Sequence, residues 1–204
     1  MTPPVTTTLD EHFDRPLLDS RLRWLNEPAD WGLDPGRGAL RLAPAANTDF
    51  WQKTHYGFAA DSGHFLYLPV AGDFVMTTHV GFHPRHQYDQ AGLMVRLSPD
   101  CWLKTSVEHE PGEDNRLGAV VTNHGYSDWS TQSLDPAVNE VRFRVRRTGS
   151  DFLVESSRDG RGWTQLRLAR LLEARADATV DCGLYACSPK GSGFVCDFLS
   201  LRIA

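Results

Sequence analysis

No apolar run in the 204 residues approaches the roughly 18 needed to cross a bilayer as a helix, which excludes a helical membrane span. The opening stretch, MTPPVTTTLDEHFDRP, lacks the basic end and apolar core of a secretory signal and points to the cytoplasm. The four cysteines, at 101, 182, 187 and 196, include no CxxC pair. None of the eight histidines falls at HxH or HExxH spacing. Zinc and redox motifs are therefore missing, no metal or cofactor is expected, and the cysteines are read as reduced, mostly buried thiols. There is no DxDxD calcium loop, GxSxG elbow, P-loop or GxGxxG turn. An excess of positive charge is also missing. With 21 basic and 26 acidic residues the net charge is −5, which disfavours nucleic acid and anionic membranes as partners.

Helical periodicity is almost absent, and only Leu168–Ala176 carries it, with Leu168, Leu171 and Leu172 on one face. What the chain has instead is alternation of period two. Val141-Arg142-Phe143-Arg144-Val145-Arg146 is apolar on one face and guanidinium on the other. Similar runs occupy 74–80, 91–98, 102–109, 117–123, 151–157, 180–187 and 194–203, separated by turn dipeptides such as Pro99-Asp100, Pro111-Gly112 and Asp135-Pro136. Asp159-Gly160 predicts a hairpin between Phe152–Ser157 and Trp163–Leu168. Many short strands without a strand-helix-strand rhythm predict an all-β sandwich of two antiparallel sheets plus one short helix. An apolar share of 41% supports a core, and one domain is expected over 13–204, after a tail at 1–12. The arginine stripe 142, 144, 146 and 147 is read as a solvated outer face.

The stretch 88–133 carries the clearest functional signal. With Leu93, Val95 and Leu97 facing the core, Gly92, Met94 and Arg96 must face outward. The same rule turns Leu103, Thr105 and Val107 inward, and Trp102, Lys104, Ser106 and Glu108 outward. Joined by hairpins, these strands would share a surface bearing Met94, Arg96, Trp102, Lys104, Glu108 and Thr122, with Tyr126 and Trp129 beside it and Tyr88 at its start. A flat aromatic beside opposite charges suits a sugar: a platform for the ring and fixed partners for its hydroxyls. The alternative is that another segment covers this face, making Trp102 core and Arg96–Glu108 a structural ion pair. His55, Tyr56 and His64, in an aromatic-rich connection, are candidates to rim the same cleft, while Phe50, Trp51 and Phe58 are assigned to packing.

A set of words along the chain resembles the family named for the yeast regulation-of-enolase protein. They are Trp24-Leu-Asn-Glu-Pro28, Thr48-Asp-Phe-Trp-Gln-Lys-Thr-His-Tyr-Gly-Phe58, Gly63-His-Phe65, Tyr88-Asp-Gln-Ala-Gly-Leu-Met-Val-Arg96 and Trp102-Leu-Lys104. Tyr126-Ser-Asp-Trp-Ser130, Ser157-Arg-Asp-Gly160 with Trp163, and Ala186-Cys-Ser-Pro189 complete the series, in order over about residues 13–203. The resemblance implies a concanavalin A-like lectin/glucanase jelly roll with one concave sheet. It implies no catalytic residues. Gln52 stands where the family usually has arginine, and Glu110 where an apolar or small residue is common.

Three functions compete. The first is a lectin-like module binding a saccharide on the concave sheet without catalysis. The second is a glycoside hydrolase, since Glu108-His-Glu110-Pro-Gly-Glu113 has the spacing of a jelly-roll glucanase strand motif. In that reading Glu108 and Glu110 would be catalytic, although Pro111-Gly112 interrupts the strand before Glu113. The third is an interaction module whose exposed aromatics meet a protein partner or a second copy in a homodimer.

Overall fold

Alternation along the chain resolves into strands throughout. The computed structural model describes residues 9–204, and among them there is no helix. The strands are β1 (Leu9–Glu11), β2 (Arg23–Leu25), β3 (Asp30–Asp34), β4 (Ala39–Ala43), β5 (Phe50–Gln52), β6 (Ala59–Asp61), β7 (His64–Ala71), β8 (Phe74–His83) and β9 (Gln90–Ser98). They continue with β10 (Cys101–Glu108), β11 (Asn115–Asn123), β12 (Tyr126–Leu134), β13 (Glu140–Thr148), β14 (Asp151–Ser157), β15 (Thr164–Arg170), β16 (Thr179–Cys187) and β17 (Val195–Ile203).

Two large antiparallel sheets form a jelly-roll sandwich. One runs β15-β14-β13-β8-β17-β4-β3, with β1 added beside β17, and the other runs β12-β11-β10-β9-β16-β7-β2. The residues expected to face inward do so: Leu93, Val95, Leu103, Val107, Ala119 and Val121 pack against Val80, Phe143, Val145, Phe152 and Phe198 of the opposite sheet. Thr105 also turns inward, and its hydroxyl donates to the Gly118 carbonyl at 2.8 Å. The Asp159-Gly160 hairpin joins β14 to β15 as expected. All four cysteines are free thiols and buried.

Three expectations need correction. Leu168–Ala176 is not a helix. Leu168 lies in β15, and the chain then passes through successive turns, with Ala174 N–H donating to Leu171 O and Ala178 N–H to Arg175 O. The physical cause is strand pairing: Leu168, Ala169 and Arg170 continue β15 opposite Leu153, Phe152 and Asp151 of β14. Arg147 turns into the fold below the turns that follow and satisfies the carbonyls of Gly149, Arg175 and Ala178, each at 2.8 Å. Arg147 thus departs from the solvated arginine stripe, because its position continues the inward series of Val141, Phe143 and Val145. Arg144 departs from it in part, being 15% exposed between Glu155 and the Trp163 ring. Leu9–Glu11, placed in the tail by the sequence, pair with β17 and bury Leu9.

The third correction concerns the outer face of the seven-stranded sheet. A second, smaller apolar cluster sits there, made of Phe50, Trp51, Phe65, Met94, Trp102, Val120, Tyr185 and Cys187. The β5–β6 hairpin lies across this face and covers it. Asp61 at its end receives two hydrogen bonds from Arg96, at 2.9 and 2.8 Å. Gln52 N–H donates to the Ser127 hydroxyl at 2.9 Å. Gly63 allows the close approach, since a Cβ there would stand 2.4 Å from the Phe50 ring.

Candidate functional site

Strand register decides which outward residues lie side by side. Lys104 pairs across with Met94 and Val120, and Glu108 with Gln90 and Arg116. Lys104 and Glu108 share one face of β10, with Ser106 between them. The hairpin covers the end of this face that carries Trp102, and stops short of the other end. A cavity of about 340 Å³ remains. Its floor is Lys104, Glu108, Gln90 and Asp49, and its walls are Trp51, Tyr56, Phe58, Tyr88 and Trp129. Asn47, Ala60, Pro189 and Lys190 complete the lining.

The floor is a buried charge cluster. Lys104 is 2% exposed, and its ammonium donates to Gln90 Oε1 at 2.7 Å and to Asp49 Oδ1 at 3.3 Å. Tyr185 also donates to Gln90 Oε1, at 3.1 Å. Burial works against the Lys104 charge, but the carboxylates of Asp49 and Glu108 outweigh it and raise the pKa above the ordinary lysine value. Glu108 is 7% exposed, and no hydrogen-bond donor among the described residues reaches its carboxyl. Burial pushes that carboxyl up to about 7; Lys104 opposes the shift, while Asp49 and Glu110 add to it. A buried, unpartnered acid facing a cavity is the arrangement that marks functional sites.

The backbone around the cavity is also held in uncommon conformations. Asn47, Lys53, His55 and Tyr88 have positive φ of 53–67° without being glycine. At Tyr88 the strain is supported by its neighbour Asp89, whose carboxylate accepts the amides of Arg85 and His86 at 2.7 and 2.8 Å. The other Asp89 oxygen accepts the Ser188 hydroxyl at 2.6 Å. Such strain persists only where the surroundings overdetermine it, and it tends to collect at binding sites.

Of the residues singled out in the sequence, Tyr56, Tyr88, Lys104, Glu108 and Trp129 meet around the cavity. His55 and Tyr126 line an open depression next to it, which shares Trp51, Tyr56 and Trp129. The others are placed elsewhere. Trp102 and Met94 are fully buried under the hairpin, so Trp102 is core rather than platform, with its Nε1–H donating to Pro99 O at 3.0 Å. Arg96 clamps Asp61 and makes no pair with Glu108. Thr122 is buried and bonds the Ser127 hydroxyl at 2.7 Å. His64 is buried between the Ala45 amide and the Asn26 carbonyl. Glu110 accepts from Gln87 Nε2 at 2.8 Å and does not line the cavity, and Glu113 pairs with Arg116 at 3.2 Å on the surface.

Sequence reasoning missed Asn47, Asp49, Gln90, Pro189 and Lys190, and it assigned to packing two aromatics that line the cavity, Trp51 and the exposed Phe58. Asp49, Gln90 and Pro189 lie within words already noted, which marked segments without saying which side chains converge.

The profile of the family described as "Protein of unknown function (DUF1349)" matches residues 24–204. The chain belongs to that family. A relative of this DUF1349 chain, "Regulation of enolase protein 1" of Saccharomyces cerevisiae, is 34% identical over 175 residues, covering 86% of this chain and 85% of that one. The crystal structure of a functionally unknown protein from Saccharomyces cerevisiae superposes with a TM-score of 0.82 at 33% identity, covering 91% of this chain and 96% of that one. The sandwich also matches part of Bacteroides ovatus Xyloglucan PUL GH43B, with a TM-score of 0.78 at 20% identity, covering 97% of this chain and 39% of that one. At that identity the likeness is one of fold.

Proposed function

We propose that this DUF1349 chain is a binding module that takes a saccharide, without catalysis, in the cavity beside the β5–β6 hairpin. The observation that carries the reading is Glu108: an unpartnered carboxyl on the floor of a cavity walled by five aromatic side chains. Aromatic faces pack against the C–H faces of sugar rings, and a fixed acceptor orients their hydroxyls. A volume of about 340 Å³ suits one or two rings. The ligand enters beside the exposed Tyr56 and Phe58 rather than lying on an open concave sheet. The neighbouring structure named for xyloglucan is consistent with a carbohydrate role at the level of fold.

The test is a glycan array probed with wild type, Trp129→Ala and Glu108→Gln. Binding that both variants lose supports the reading, and binding retained by both overturns it.

One observation favours a hydrolase as the second reading. A carboxyl near pKa 7 can donate a proton at neutral pH. The second carboxylate would then be Asp49, since Glu110 lies outside the cavity and Asp49 lines it. Turnover of an array hit that disappears in Glu108→Gln would establish this reading, and binding without turnover would exclude it.

A further inference from the structure

The charges on the cavity floor do not balance. Lys104 bonds Asp49 at 3.3 Å and acts on Glu108 only through space, so among the described residues no cation forms an ion pair with Glu108. Arg116 stands directly opposite Glu108 on β11, yet it turns away to Glu113 at 3.2 Å and to Glu110 at 4.0 Å. Lys190 is the remaining cation of the lining, and its ammonium lies over the Tyr88 ring at 5.8 Å. Lys104, Arg116 and Lys190 thus each make their close contacts with other groups, and the Glu108 carboxyl is left without a bonded cation.

Resting on the saccharide reading of this cavity, we infer that the ligand carries a protonated amine, seated between the Glu108 carboxylate and the aromatic walls. A cation close to a buried carboxylate recovers Coulomb energy that water no longer supplies, and charge-assisted hydrogen bonds are the stronger kind. The walls suit the same charge. Aromatic faces attract ammonium groups within about 6 Å of the ring, and several faces together form the cage that recognises substituted amines. Lys190 over Tyr88 shows one of these walls holding an ammonium. A neutral hydroxyl would meet the hydrogen-bonding need of Glu108 but not its charge. A carboxylate or phosphate would face both Asp49 and Glu108 across the floor. The ligand class is an amino sugar with an unacetylated amine. A choline-type quaternary ammonium has no N–H to donate but shares the positive charge and the affinity for aromatic faces, and is the alternative source.

Calorimetric titration of the whole chain at pH 7 separates these cases. The probes are the glucosamine β-1,4 dimer, its N-acetylated form, cellobiose and choline, each against wild type and Glu108→Gln. The expected result is a glucosamine dimer bound at least tenfold more tightly than its acetylated form or cellobiose, with the advantage lost in Glu108→Gln. Equal or tighter binding of the neutral disaccharides overturns the amine inference and leaves the saccharide reading standing. Choline binding, with no sugar bound, upholds a cation site but overturns both the protonated amine and the saccharide. Failure of all four probes overturns both.

Discussion

The Lys104 ammonium lies 3.3 Å from the Asp49 carboxylate, 55 residues away in sequence, and that pairing leaves Glu108 on the same strand face as an acid without a partner. The cluster arises because the β5–β6 hairpin and the segment leading into it dock on a sheet face that alternation alone would leave in water. Both the stability and the chemistry of the site follow from this docking.

Glu108 should make stability depend on pH. Its pKa is about 7 in the folded chain, against an ordinary value of 4.5. Below 4.5 both states hold the proton and the group has no effect. Between 4.5 and 7 the unfolded chain releases the proton while the folded chain keeps it, so stability falls as pH rises. Above 7 the full cost of the buried charge applies, about 3 kcal/mol. Glu108→Gln should therefore match wild type near pH 4 and be more stable at pH 8, by up to that amount. Denaturant titrations at the two pH values measure the difference, and an equal offset at both would refute it.

Lys104→Met should be destabilising, by about 2–3 kcal/mol, because it removes the cation bonded to Asp49 and leaves two carboxyls facing each other across the cavity floor. Adding Asp49→Asn to it should recover part of the loss. Urea unfolding of the single and double variants tests the coupling, and strictly additive losses would contradict it.

The two tryptophans should behave oppositely. Trp102 is fully buried beneath Phe50, and Trp102→Ala should cost about 3–5 kcal/mol of stability. Trp129 is half-buried on the cavity wall, and Trp129→Ala should cost about 1 kcal/mol while abolishing ligand binding. Thermal melts and the glycan array together make the comparison.

Asp61→Asn should loosen the cap. It exchanges the paired contact with Arg96 for a weaker neutral one and leaves the guanidinium, 8% exposed, with only the cross-strand Asp181 as an opposite charge. Faster amide hydrogen exchange across residues 50–61, with β9 and β10 unchanged, is the expected signature. Uniform acceleration over the whole chain would show instead that the hairpin is not a separate unit.

Much of the fold was legible in the chain because side-chain direction in a strand is fixed locally by the pleat. Val141, Phe143 and Val145 had to share a face, and so did Trp102, Lys104 and Glu108, whatever the rest of the chain did. The helical spacing at 168–176 misled because leucine periodicity cannot reveal that Leu168, Ala169 and Arg170 are held as a strand by pairing with Leu153, Phe152 and Asp151. Tyr56, Tyr88 and Trp129 were legible as site candidates because aromatics in loops and on outward strand positions stand out against a polar background. Asp49 and Gln90 were not, since a lone carboxylate or amide carries no pattern.

What the sequence determined by itself was the sandwich and the two faces of each strand, since alternation is a property of neighbouring residues. Only the tertiary structure decided which outward face meets water. That outcome depends on contacts between distant segments: Asp61 with Arg96, Gln52 with Ser127, and Asp49 with Lys104. These partners are 35 to 75 residues apart, and no local periodicity links them. Their docking turned Trp102 from a platform into core and set Glu108 at the bottom of a cavity.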